Sequence, residues 1–112
     1  MLLKRGHTES ALELLEQLTI DRPLDKDFRF ARGNALFQAT RFDEAAEQFQ
    51  FALERDPGFK RAAFGLARSL QEGGRTDPAI AAWKAYLVLD DTSSWAAAAR
   101  RNLKTLQEPG DS

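Results

Sequence analysis

An all-α fold, a right-handed solenoid of antiparallel helix pairs, is what this sequence predicts, and three observations carry the prediction. The chain repeats with a period of 34 residues: Ala11 maps onto Ala45 and Ala79, Leu15 onto Phe49 and Trp83, Pro23 onto Pro57, Leu2 onto Leu36 and Leu70, and Phe30 onto Phe64. A period of this length marks a small unit that cannot bury its apolar face alone and stacks on copies of itself. Apolar residues recur at helical spacing throughout, and no segment alternates as a strand does. Helix breakers, namely Pro23, Pro57-Gly58 and Gly73-Gly74, fall between the periodic segments, which makes the connections short turns. Solenoids serve mostly as binding surfaces, so the repeat favours interaction over catalysis.

Six helices follow in order. Thr8 is placed to cap the first, which runs to about Asp21 with Ala11, Leu14, Leu15 and Leu18 on one face before Pro23 ends it. The second spans roughly Lys26 to Ala39. Asp43 caps the third, with Ala45, Phe49, Ala52 and Leu53 on one side, and Pro57-Gly58 stops it. The fourth runs from about Phe59 to Glu72 and stops at Gly73-Gly74, where positive φ is easily adopted. Asp77 caps the fifth, with Pro78 at its first position, where the missing amide hydrogen costs nothing. Thr92-Ser93-Ser94 opens the sixth, about Trp95 to Leu106, and the tail from Glu108 to Ser112 frays.

Within each pair, small residues meet large ones. Gly33 and Ala67 let the backbones approach, Ala45 and Ala79 do so from the partner helix, and Phe49 and Trp83 fill the space between. At these residues the chain resembles the tetratricopeptide repeat family: from Lys26 to Phe59, Gly33, Leu36, Phe42, Ala45, Phe49, Ala52 and Pro57 stand at the family's signature spacings. The next unit departs at Ala67, Thr76, Tyr86 and Asp91 but keeps Leu66, Leu70, Ala79 and Trp83. The resemblance implies about two and a half repeats plus a C-terminal capping helix. Residues 1–25 form a partial repeat, 26–59 and 60–93 full repeats, 94–107 the cap and 108–112 a flexible tail. In the cap, Trp95, Ala99, Leu103 and Leu106 make an apolar stripe that faces inward, with Trp95 as its anchor, and Arg100, Arg101, Lys104 and Asn102 face out.

Composition narrows the function. Of 112 residues, 43% are hydrophobic and 29% charged, as in a folded chain. The net charge of −1 gives no phosphate-binding track, so nucleic acid is not an expected partner. The charge is uneven: residues 1–59 hold 8 basic and 11 acidic side chains, and residues 60–112 hold 8 and 6. No apolar run approaches the roughly 18 residues that span a bilayer, and Met1 to Arg5 is too short for a signal peptide, so membrane insertion is not expected. The absence of cysteine suits cytoplasm and periplasm equally. His7 is the only histidine, no Gly-rich phosphate loop occurs, and no serine has a histidine partner in pattern. The run Asp43, Glu44, Glu47 matches a helix dipole and is no carboxylate dyad. We expect no enzyme, no cofactor and no metal.

The resemblance implies a concave binding face built from the first helix of each pair. On this chain that face holds Asp27, Phe30, Asn34, Phe37, Gln38, Arg61, Phe64, Arg68, Gln71 and Glu72. Spacing puts Phe30, Asn34 and Phe37 on one helical face, and Arg61, Phe64 and Arg68 on another. Phenylalanines between polar groups suit a peptide with apolar anchors, Asn34 suits a peptide backbone, and Arg61 and Arg68 suit acidic side chains or a terminal carboxylate. A plainer alternative has the phenylalanines packing between repeats and the arginines solvated. The carboxylate clamp of family members that hold chaperone tails is absent. Phe30 replaces its first Lys, Gly65 its second Asn, and Trp95 and Ala99 its last cations. The expected partner is another protein or peptide, with acidic character one option.

A second reading is an assembly element, or an accessory fragment of a larger protein. Only Leu2 to Arg5 precede Gly6 where the partial repeat's leading helix belongs, which leaves the first helix's apolar face short of cover. Leu2, Leu3, Leu12 and Leu15 would then meet a second copy in a homo-oligomer.

Overall fold

A computed structural model describes residues 2–22 and 25–108, with only the backbone described for residues 2–7 and Thr19. The described residues form six α-helices and no strand: α1 Leu2–Asp21, α2 Lys26–Gln38, α3 Phe42–Arg55, α4 Lys60–Glu72, α5 Thr76–Leu89 and α6 Ser94–Gln107. Each helix packs on the next, and α2 also touches α4. The result is an all-α solenoid with extents of 43 × 32 × 23 Å. No helix among the described residues is long and apolar enough to cross a membrane.

Several helix starts differ from the sequence reading. α1 begins at Leu2 and runs straight through Gly6, so Thr8 lies inside the helix and does not cap it. One glycine costs a helix interior only about 1 kcal/mol, and nothing else in that stretch breaks it. The N-caps of α3 and α5 are Arg41 and Arg75, neither with a side-chain cap bond. Asp43 and Asp77 therefore sit in the first turn, where they match the dipole, and Pro78 occupies the third position. Two caps do form from side chains. Asp25 accepts from the Asp27 and Phe28 amides, and Ser93 from the Ala96 amide. Pro23, read as the stop of the first helix, and the tail from 109 to 112 lie outside the described residues.

Packing follows the expected size complementarity, with one addition. Phe49 is 1% exposed and fills the space between α2, α3 and α4. A Cβ built on Gly33 would lie 2.8 Å from its ring, and one on Gly65 would lie 2.7 Å from it. The ring is gripped from both sides by glycines on successive first helices. One repeat on, fully buried Trp83 clusters with Ala67 and Ala99, the residues 34 positions after Gly33 and Gly65. Its indole Nε1 donates to Gln71 Oε1 at 2.8 Å, and Gln71 Nε2 donates to Asn102 Oδ1 at 3.1 Å. That chain satisfies a buried donor and ties α4 to α5 and α6.

The turns repeat as well. After α2, the Thr40 amide donates to Phe37 O and the Arg41 amide to Leu36 O. After α4, Gly74 and Arg75 make the equivalent bonds to Gln71 and Leu70. This is a Schellman closure, which needs a left-handed residue. Gly74 supplies φ +79°, whereas Thr40 is forced to φ +60°. After α5, Asp90 accepts from Tyr86 Oη at 2.7 Å, from Ser93 Oγ, and from the Thr92 and Ser93 amides. Bonds from Ser93 and Tyr86 hold the Asp90 carboxyl down at about 2. Burial, then the bond to Asp90, pushes the Tyr86 hydroxyl up to about 12.

Three outcomes are expected. Gly65→Ala and Gly33→Ala each destabilise by about 1–3 kcal/mol in urea unfolding despite their better helix propensity, because the buried ring has no room to retreat. Phe49→Leu should recover part of that loss, a coupling absent if the ring is not the obstacle. Thr40→Gly gains about 1 kcal/mol by relieving the left-handed threonine, and Gly74→Thr loses a similar amount. Asp90 has a folded pKa below its unfolded value of about 3.9, so its contribution is present above that pH and drains away as pH falls toward about 2. Thermal melts of Asp90→Asn should therefore fall below wild type at neutral pH and converge with it across that acid window.

Candidate functional site

The first helices of each pair, α2, α4 and α6, line one side of the solenoid, the side expected to be concave. Between them lies a groove of about 340 Å³, walled by Phe30, Asn34 and Phe37 of α2, Arg61, Phe64, Gly65 and Arg68 of α4, and Trp95 of α6. Phe49 forms part of its floor because both glycines beside it lack side chains. Six of the ten residues placed on this face by sequence meet here: Phe30, Asn34, Phe37, Arg61, Phe64 and Arg68.

Their surroundings differ from one another. Phe30 and Phe37 are half-buried and pack on the core around Phe49. Phe30 lies 4.9 Å from the Phe59 ring and 5.7 Å from the Phe49 ring. Phe64 is the hub of an aromatic cluster, edge-on to Trp83, Tyr86 and Trp95 at 4.9, 5.3 and 4.7 Å. Such contacts contribute about 0.5–1.5 kcal/mol each beyond area burial, so these rings shape the groove before any ligand enters. The plainer sequence alternative, packing between repeats, thus describes one side of each ring, and the groove exposes the other.

The arginines are stacked and unpaired. Arg61 lies 5.1 Å from the Phe30 centroid and 5.6 Å from that of Phe59, and Arg68 lies 4.6 Å from that of Phe37. Neither makes an ion pair among the described residues. Stacking holds each guanidinium against a ring beside the groove without consuming its N–H donors. No carboxylate lines the groove, so two cations define its field. Asn34 is exposed, and its amide makes no hydrogen bond among the described residues.

Four of the expected groove residues are placed elsewhere, and of these Asp27, at the start of α2, and Glu72, at the end of α4, are exposed outside the groove lining. Gln71 spends its amide on Trp83 and Asn102, inside the joint between α4, α5 and α6. Its role is structural because a buried indole needs that acceptor. Gln38 is exposed at the end of α2, outside the groove lining. Trp95, read as an inward cap anchor, is 57% exposed and stands in the groove wall. The signal for this was the 34-residue register, which carries Asp27 to Arg61 to Trp95 along the concave face. Gly65 had the same kind of signal, since its register partner Ala99 is also small.

The proposed self-association residues are also accounted for. Leu12 is 8% exposed, and Leu15 is half-buried against the same core, so both are covered within the chain. Among the described side chains of α1, the large apolar residues that face outward are Leu14 and Ile20. The side chains of Leu2, Leu3 and His7 lie outside the described residues. No group of three or more His, Cys, Asp or Glu side chains is placed to hold a metal among the described residues.

Comparison with known proteins agrees with this fold. The first TPR domain of Spaghetti (RPAP3), bound to an HSP90 peptide, superposes with a TM-score of 0.83 at 15% identity, over 98% of this chain and 85% of that one. The Yersinia enterocolitica type III secretion chaperone SycD, in complex with a peptide of the translocator YopD, gives 0.85 at 16% identity over 97% and 86%. A MamA mutant gives 0.84 at 25% identity, over 96% of this chain and 57% of that one. No curated protein matches the sequence. The family match itself covers residues 2–57 and again 30–94. With a match of that extent on a solenoid of this geometry, the chain belongs to the tetratricopeptide repeat family.

Proposed function

We propose that this protein is a non-catalytic interaction module whose concave groove holds an extended segment of another protein, one carrying acidic side chains around an apolar anchor. The observation behind this reading is the pair of stacked guanidiniums, Arg61 over Phe30 and Arg68 over Phe37, flanking an aromatic floor with no carboxylate. The two arginines are seven residues apart on α4, which places them about 10 Å apart along the helix. An extended chain rises about 3 Å per residue, so acidic groups about three residues apart span that distance. Asn34, with its amide unoccupied, suits the segment's backbone, and Trp95 and Phe64 suit the apolar anchor between the acids.

Structural neighbours that hold HSP90 and YopD peptides support the general mode. They do not extend to the chaperone-tail class, because Phe30, Gly65, Trp95 and Ala99 stand where that class needs its polar clamp. Recognition here rests on aromatic contact plus two cations.

The test is fluorescence anisotropy with a labelled peptide of alternating glutamate and phenylalanine and a lysine-substituted counterpart. We expect the acidic peptide to bind, to weaken as salt rises, and to lose about tenfold to a hundredfold in affinity on Arg61→Ala/Arg68→Ala. Both arginines are exposed, so circular dichroism should be unchanged. Equal binding of the lysine peptide, or indifference to the double variant, would defeat the reading.

A further inference from the structure

The opposite side of α4 carries a second feature that the concave groove does not use. Ala63, Leu66 and Leu70 lie half a helical turn away from Arg61, Phe64 and Arg68, and they form the floor of a furrow between α3 and α5. Two adjoining hollows of about 310 and 510 Å³ make up this furrow and share Leu66. The Asp43–Arg75 ion pair, at 3.0 Å, crosses one end.

Comparison of repeats shows what is unusual here. The positions 34 residues before Ala63, Ala82 and Ala85 are Arg29, Gln48 and Phe51. Those three side chains meet: the Arg29 guanidinium lies 4.2 Å from the Phe51 ring centroid and donates to Gln48 Oε1 at 3.3 Å. In the later repeat alanines replace all three, and the space stays open. The outer face of α5 changes in the same direction. Glu47, Phe51 and Glu54 of α3 correspond to Ala81, Ala85 and Val88, with Val88 86% exposed. Asp77 and Lys84 are the only ionised side chains on α5, so its solvent face has little to hold water. The wall across the furrow, on α3, presents Glu47 and Glu54.

We propose that this convex furrow is a second docking site, occupied by an amphipathic helix of another protein with an apolar face and a basic flank. The apolar face would enter over Leu66, Ala82 and Ala85, in the volume that Arg29 and Phe51 fill one repeat earlier. The basic flank would face Glu47 and Glu54, and this charge preference is the reverse of the concave groove's. Helix-in-groove recognition of this kind takes its specificity from the anchors at one face and its orientation from the charges beside them.

The test uses a stapled helical peptide about as long as α5, with leucines along one face and lysines flanking them, and a glutamate-flanked counterpart. Anisotropy should show the lysine-flanked peptide binding about tenfold or more tightly than its counterpart. Ala85→Glu, and separately Glu47→Lys/Glu54→Lys, should each weaken it by a similar factor; all three sites are exposed, so folding is preserved. Arg61→Ala/Arg68→Ala should leave it unchanged, which separates this site from the concave one. Failure of the lysine-flanked peptide to bind, equal affinity for both peptides, or sensitivity to the arginines but not to Ala85→Glu would overturn the proposal. So would a peptide-free doubling of mass that Ala85→Glu abolishes, since a second copy would then own the furrow.

Discussion

The contact on which the rest of the molecule depends is the Phe49 ring held between Gly33 and Gly65. One side chain sets the separation of α2 from α4, because the ring spans the gap and neither neighbour has a Cβ to hold it further off. That separation in turn sets the width of the concave groove and leaves the ring itself in the floor. The second repeat solves the same problem with different parts. Trp83 is larger, its neighbours are alanines, and its indole N–H requires an acceptor at depth. Gln71 meets that need, and this is why a residue on a first helix is withdrawn from ligand contact: leaving a buried donor unsatisfied costs about 1–3 kcal/mol, more than an exposed amide returns.

Charge differs between the two faces of the array as well as along the chain. The excess of acids in residues 1–59 and of bases in 60–112 suggests two oppositely charged ends. In three dimensions the unpaired cations Arg61 and Arg68 lie inside the curve on aromatic rings, while Glu47 and Glu54 lie outside it. Other charges are spent locally: Lys26 pairs with Asp56 at 2.8 Å and Arg41 with Glu44 at 2.7 Å, and each carboxyl is held below its ordinary range by its partner. Exposed pairs like these contribute little to stability, but they remove their charges from any long-range field.

The solenoid and most of its groove were legible in the sequence, because both are consequences of the 34-residue period. Leu36, Ala45, Phe49, Ala52, Ala67, Ala79 and Trp83 are all buried, at the positions where the period and helical spacing coincide. Helix starts were less legible. Asp43 and Asp77 have the chemistry of caps, yet the Schellman turns ahead of them bring the chain into helix one or two residues sooner. Gln71 and Trp95 were misplaced for a common reason. A helical wheel gives the direction of a side chain but not whether the neighbouring element ends short of it; Gln71 bonds to α6 and Trp95 lies on it, where the array stops repeating. The convex furrow was hidden for another reason: alanines at Ala63, Ala82 and Ala85 look like ordinary helix formers until the earlier repeat shows Arg29, Gln48 and Phe51 in their places.

The capping helix joins binding to stability. Ala99, Leu103 and Leu106 of α6 pack on the Trp83 core, Asn102 anchors Gln71, and Trp95 stands in the groove wall against Phe64. A ligand that covers Trp95 and Phe64 rests on the same aromatic cluster that holds α4 to α5. The share of its binding energy that comes from Trp95 is therefore available only when α6 is docked, because an undocked α6 removes Trp95 from the wall and Asn102 from Gln71 together. Anything that binds the docked state alone stabilises it by mass action. The last helix of the array is thus the element whose docking a concave ligand reinforces most directly.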